Sequence, residues 1–169
     1  MVTTAGPDGL SDEGHHVVRR TVNATADAVW DVLADGWLYA TWVVGASRMR
    51  DVDASWPARG SRLHHSVGLW PAVIDDQSEV LRSEPGTRLV LRAKGWPVGE
   101  AIVDLRLRAV GDGRCEVVML EDAVSGPGLV LPRVLRQPVI AVRNREALHR
   151  LGLLAEGRSV GVTSEDTSA

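Results

Sequence analysis

Ala101-Ile102-Val103-Asp104-Leu105-Arg106-Leu107-Arg108 sets Ala101, Val103, Leu105 and Leu107 against Asp104, Arg106 and Arg108 at alternate positions. Side chains on a strand point alternately to opposite faces, so the stretch predicts a strand over Val98 to Val110 with one face buried and one wet. Gly111-Asp112-Gly113 is a strong hairpin turn, and Cys115 to Asp122 follows as the next strand. Upstream, the Gly95-Trp96-Pro97 corner leads back to a strand at Arg88 to Lys94. Glu84-Pro85-Gly86 turns the chain from Ala72 to Leu81, and Gly68 to Pro71 turns it from Arg62 to Val67. The Trp56-Pro57-Ala58-Arg59-Gly60 loop separates that strand from Ser47 to Val52. Turn signals at nearly even spacing are the rhythm of an antiparallel meander.

The flanks are helical. His15 to Val22 is rich in β-branched residues and reads as a first strand. Thr25 then stands where an N-cap belongs, and Asp27 sits in the first turn, where the helix dipole favours negative charge. Val29, Val32 and Leu33 recur at helical spacing until Asp35-Gly36, and Trp37 to Val44 predicts a second short helix stopped by Gly45. After the Ser125-Gly126-Pro127-Gly128 loop, apolar residues at 131, 135, 138, 142, 148, 151 and 155 trace one stripe of a long amphipathic helix ending near Glu156. Pro138, inside the pattern, predicts a kink or a break. Residues 1–14 and 157–169 carry too little apolar surface to offset the entropy of ordering them and read as flexible tails, leaving one α+β domain over 15–156.

A chain of 169 residues with net charge −3 and arginines scattered among acids has no basic face, which argues against nucleic-acid binding. No apolar run reaches the length that spans a bilayer, and the first residues lack the basic start and apolar centre of a signal peptide. A cytoplasmic protein with no membrane insertion is expected. Of the 19 basic residues all but Lys94 are arginine, a usage that points to a high-GC bacterial genome. Cys115 is the only cysteine and falls in an apolar strand, so it reads as a small core residue.

Candidate chemistry gathers between the sheet and the last helix. In His64-His65-Ser66-Val67-Gly68-Leu69-Trp70-Pro71 the apolar phase of Leu63 and Val67 turns His65 inward and His64 outward. An imidazole there is suited to act as a general base or to bond a ligand carbonyl. Glu121 and Asp122 follow the apolar run Val117-Val118-Met119-Leu120, where a dry pocket mouth would suit an acid to proton transfer. Arg133 and Arg143 on the closing helix are their candidate ion-pair partners.

Six tryptophans stand against one tyrosine and no phenylalanine. Trp42, Trp70 and Trp96 each flank a turn at an end of the expected cavity and are candidate wall residues, whereas Trp30 and Trp37 read as helix-to-sheet packing. Met119, Leu135 and Val139 complete the expected apolar lining. The histidine spacings match no preorganised metal site, and the chain has no phosphate loop, nucleophile elbow or Cys/His pair, so no metal or cofactor is expected.

The opening Val22-Asn23-Ala24-Thr25-Ala26-Asp27-Ala28-Val29-Trp30, Trp42 near the end of the second helix, and the segments His64 to Pro71, Gly95 to Pro97 and Glu121 to Pro127 carry a resemblance. Over residues 15–156 the chain resembles the helix-grip fold of the START, pathogenesis-related-allergen and polyketide-cyclase superfamily, the SRPBCC proteins. It is most similar to a polyketide cyclase/dehydrase-like bacterial subgroup. The resemblance implies an antiparallel sheet of six to seven strands wrapped around the long C-terminal helix, with two short helices after the first strand. It also implies an elongated apolar cavity between sheet and helix. Members transport, sense or transform lipids, sterols, polyketides and aromatic compounds, and share no universal catalytic residue.

Three functions are therefore expected in order. The first is binding of a small apolar, lipid-, aromatic- or polyketide-like molecule. The second is a cyclase, dehydratase or isomerase using His65 and Glu121 as acid and base. The third is a protein-interaction module with a filled core, docking through a sheet edge or the Trp56 loop. The sequence assigns no oligomeric state.

Overall fold

The alternating stretch forms part of β6 (Gly99–Ala109), in the interior of a seven-stranded antiparallel sheet. The computed structural model describes residues 9–12, 15, 17–68, 71, 73–95, 99–126 and 133–165, with side chains described through 137–159 of the last segment. The other strands are β1 (Val17–Val22), β2 (Ala46–Val52), β3 (Arg62–Val67), β4 (Ile74–Glu84), β5 (Arg88–Gly95) and β7 (Cys115–Ser125). They lie in the order β1-β7-β6-β5-β4-β3-β2. The meander β2 to β7 is continuous, and β1 closes onto its last strand, with Val17 opposite Leu120 and Val22 opposite Cys115.

Between β1 and β2 the chain forms α1 (Ala26–Ala34), a 3-10 turn Gly36–Leu38 and α2 (Tyr39–Trp42). Thr25 caps α1 as expected, its hydroxyl accepting from the Ala28 N–H at 3.1 Å. Gly45, at φ 102°, takes the left-handed conformation that lets the chain leave α2 for β2. The long helix α3 (Arg133–Glu165) lies against β1, β7, α1 and α2. This is the α+β helix-grip arrangement. Among the described residues no helix is long and apolar enough to cross a membrane.

The main core fills the space between the inner sheet face and the helices. Val103, Leu105 and Leu107 of β6 meet Val29, Val32 and Leu33 of α1 and Leu148, Leu151 and Ala155 of α3 in one buried cluster. Cys115 belongs to it, fully buried, and burial pushes its thiol pKa up.

Four expectations need correction. The outer face of β6 is wet only toward Arg108: Ile102 joins Leu10, Val90, Val118 and Leu120 in a second buried cluster. Asp104 is completely buried there, gripped by Arg88 at 2.7 Å, by Arg106 at 3.0 Å and by the Leu10 N–H at 3.0 Å. Burial is the largest single effect and pushes its carboxyl up, but these donors together outweigh it and hold the carboxyl below the usual aspartate range. Leu10 to Asp12, placed by composition in a loose tail, are thus the cover of that face, and Arg106 bonds both the Leu10 carbonyl and Asp12. At the other end α3 continues through Gly157 to Glu165, beyond the expected stop at Glu156. Trp37, expected in helix-to-sheet packing, is 57% exposed.

The front of α3 also departs from its predicted phase. Val139 and Val142 face solvent, while Gln137, Ala141, Asn144 and Ala147 are buried. Polar residues occupy inward positions there, so a stripe drawn through apolar residues slides around the helix. The helix runs through Pro138 unbroken because the proline lies in its second turn, where one backbone hydrogen bond is lost and little helix precedes it.

Candidate functional site

Strand alternation places the first site residue. Leu63 and His65 of β3 both point inward and are buried. On β4 His65 faces Asp76 directly, which sets Ser78 diagonally across from it, within reach of a long side chain. His65 Nε2 lies 3.1 Å from Ser78 Oγ, and Ser78 Oγ lies 2.9 Å from the hydroxyl of Tyr39 on α2. The Tyr39 and His65 rings are 5.0 Å apart, and Trp42 meets Tyr39 edge-on at 5.5 Å. Tyr39 is held at this depth because Asp35 caps the preceding 3-10 turn, accepting from the Trp37 N–H at 3.2 Å.

Glu121 comes from β7, in phase with the inward Cys115, Val117 and Met119. Only 5% exposed, it accepts a hydrogen bond through Oε1 from the Arg143 guanidinium of α3. Among the described residues its Oε2 has no partner. Asn144, next on the helix, is 1% exposed, and among the described residues both its amide atoms are unpaired, as is the buried His65 Nδ1.

Gln137 fastens the start of α3 to β7, donating to the Glu121 carbonyl at 3.3 Å and to Asp122 Oδ1 at 3.1 Å. Asp122 also meets His15 at 3.3 Å. The neighbouring acids have therefore separated: Glu121 reaches the cavity, and Asp122 is tied into structure.

These elements enclose a cavity of about 270 Å³ between the sheet and α3. Val43, Leu91, Val103, Met119, Ile140 and Ala147 supply apolar wall. Tyr39, His65, Glu121, Arg143 and Asn144 line it with polar groups. Desolvation dominates the titration of the site. Burial pushes Tyr39 up to about 12 and pushes His65 below its ordinary value, so the imidazole is neutral at neutral pH. Glu121 beside Arg143 raises the guanidinium further, against the effect of burial.

The structure brings together Trp42, His65, Met119 and Glu121 as cavity residues. It turns Val139 away, 71% exposed, for the reason of helix phase given above. Trp70, Trp96 and the side chain of Leu135 lie outside the described residues. Arg143, one of two arginines weighed as a partner for the acids, is the one paired with Glu121. Sequence reasoning missed Tyr39, Ser78 and Asn144. The signal for Asn144 was a polar residue one helical turn before the apolar Leu148 and two before Leu151. Tyr39 and Ser78 had none, since their meeting depends on how α2 packs. Among the described residues no group of three or more His, Cys, Asp or Glu side chains could hold a metal ion.

A family described as polyketide cyclase / dehydrase and lipid transport matches residues 14–156 of the chain. Among solved structures, the ZhuI aromatase/cyclase of Streptomyces sp. R1128 is 20% identical with a TM-score of 0.65, over 86% of this chain and 94% of that one. A protein of Nitrosomonas europaea is 16% identical with a TM-score of 0.65, over 89% and 99%. The di-domain aromatase/cyclase StfQ of the steffimycin pathway is 11% identical with a TM-score of 0.65, this chain (86% of it) covering 51% of that one. At these identities the likeness is one of fold. No protein of curated function matches the sequence.

Proposed function

The chain belongs to the polyketide cyclase / dehydrase and lipid transport family, and from that membership and the cavity we propose that it binds a small, largely apolar ligand between the sheet and α3. A lipid, an aromatic compound or a polyketide-like molecule fits the apolar walls. The observation that carries the reading is the coexistence of those walls with unpaired polar atoms on Asn144, Glu121 and His65. A buried polar group left unpaired costs about 1–3 kcal/mol. A bound molecule offering complementary groups removes that penalty, and its own apolar surface is desolvated in the same step. The cavity weighs against a pure protein-interaction module, for which an unfilled interior has no use.

A second reading is acid–base catalysis on the bound ligand: a cyclisation, dehydration or isomerisation involving His65 and Glu121. It is favoured by their placement around one cavity, each with one unpaired atom, and by the aromatase/cyclases among the structures of similar fold.

Thermal unfolding with 6-hydroxy-2-acetonaphthone, palmitic acid and cholesterol tests the first reading. A ligand that binds only the folded state adds about 2.7 kcal/mol at a concentration of 100 Kd, so at least one compound should raise Tm. Unchanged Tm with all three, and a bare protein mass in native mass spectrometry, would overturn it. The second reading requires that His65→Gln and Glu121→Gln each abolish turnover while preserving binding.

A further inference from the structure

We propose that Ser78, whose oxygen accepts from Tyr39, is a positioning residue that holds His65 in its Nδ1–H tautomer. The polar part of the cavity then presents a hydrogen-bond donor at His65 and an acceptor at Glu121. The inference rests on the ligand-binding reading for its second half and deepens it. The ligand offers a carbonyl-type acceptor oxygen to His65 and a hydroxyl or N–H to Glu121.

Protons along one chain of contacts decide the tautomer. Among the described residues Ser78 Oγ is the only partner of the Tyr39 hydroxyl, and it also meets His65 Nε2. Ser78 has one proton to give. If Tyr39 donates to Ser78 and Ser78 donates to Nε2, both hydroxyl protons are used, and the neutral ring must carry its proton on Nδ1. A single group, the Nδ1–H, is then unpaired.

Reversing the chain lets Nε2–H donate to Ser78 and Ser78 to Tyr39. That leaves two groups unpaired, the Tyr39 proton and the Nδ1 lone pair. Having Tyr39 and His65 both donate to Ser78 again leaves two, the Ser78 proton and the Nδ1 lone pair. Each orphan costs on the order of 1–3 kcal/mol in a buried site, so the first arrangement prevails. Burial keeps the imidazole neutral, which gives the tautomer its meaning. At Glu121, the Arg143 guanidinium occupies Oε1 and leaves Oε2 as an acceptor. Asn144 carries two unpaired N–H donors and an unpaired acceptor oxygen and accommodates either neighbour.

The tautomer is read by two-dimensional 1H–15N NMR of the imidazole nitrogens in the 15N-labelled full chain at pH 8, with the His65 signals assigned through His65→Gln. The expected wild-type pattern has Nδ1 protonated and Nε2 bare. Ser78→Ala removes the donor to Nε2, so both nitrogens should move toward the opposite pattern, whereas Tyr39→Phe leaves Ser78 able to donate and should keep the wild-type pattern; the far-UV circular dichroism of both stays unchanged. A wild-type spectrum with the proton on Nε2, a wild-type pattern retained in Ser78→Ala, or one lost in Tyr39→Phe would overturn the assignment.

Because this is measured on the free protein, failure of ligand binding leaves the tautomer result intact and removes only the ligand-facing half. With 6-hydroxy-2-acetonaphthone bound, the His65 Nδ1–H resonance should shift downfield, and with 2-ethylnaphthalene it should not. Binding of the ketone without that shift contradicts the donor role.

Discussion

Tyr39 is the only tyrosine of the chain, so the phenol absorbance of the folded protein reports this residue alone. Burial holds it neutral up to about 12, against an ordinary value of 10.0. A folded-state pKa raised above the unfolded one contributes stability that is fully present below the unfolded value and is lost as pH climbs through the folded value. Spectrophotometric titration of the folded protein should therefore show at most about a tenth of the phenol ionised at pH 11, where an ordinary tyrosine is mostly phenolate. Chemical denaturation should show stability declining from about pH 10 toward 12, by roughly 2–3 kcal/mol in total.

Asn144 gives a prediction of opposite sense. Its two amide atoms are buried without partners, so Asn144→Leu should stabilise the free protein by about 1 kcal/mol in urea titration while weakening ligand binding. A variant that loses stability, or one that binds as the wild type does, would show the amide to be serving structure. His65 and Glu121 were legible in the sequence because each continues an apolar alternation, at Leu63 and at Val117 and Met119. Tyr39 and Ser78 were not, because they lie 39 residues apart and meet only through tertiary packing.

At the scale of elements, β6 begins beside the cavity, its Gly99 paired with Gly95 of β5. Gly99 lines the cavity and stands at φ 113°. A Cβ there would fall 1.9 Å from the Ser125 carbonyl oxygen of β7, a backbone atom that cannot swing aside. Gly99→Ala should cost on the order of 2 kcal/mol or more, visible as a lowered urea midpoint, whereas Gly113→Ala, at φ 68° with nothing within 4 Å of its Cβ, should cost only its backbone strain, about 1 kcal/mol. Element order and the antiparallel meander were legible because period-two alternation and Gly/Pro turns are local signals. The phase of α3 was legible only in its rear half, where Leu148, Leu151 and Ala155 pack on the core. In its front half Asn144 turns inward and Arg143 reaches Glu121 at the cavity, while Gln137 turns inward to tie the helix to β7. The local pattern misleads at the place where residues serve the cavity instead of the core.

Across the whole molecule, the two sheet faces have different tasks. The outer face is sealed by Leu10 to Asp12 over Asp104 and Ile102, a role no composition rule could assign to a polar N-terminal segment. The inner face packs on α1 and the rear of α3, and opens into the cavity under the front of α3. The central claim is that this space receives a small apolar molecule carrying polar groups. The most direct measurement is an NMR titration of the full chain with 6-hydroxy-2-acetonaphthone, repeated on Ala147→Trp, which fills the cavity from a buried wall position on α3. The account predicts saturable shifts centred on Tyr39, His65, Met119 and Glu121 in the wild type, and none in the folded variant. Shifts scattered over the surface, or equal binding by the filled variant, would contradict it.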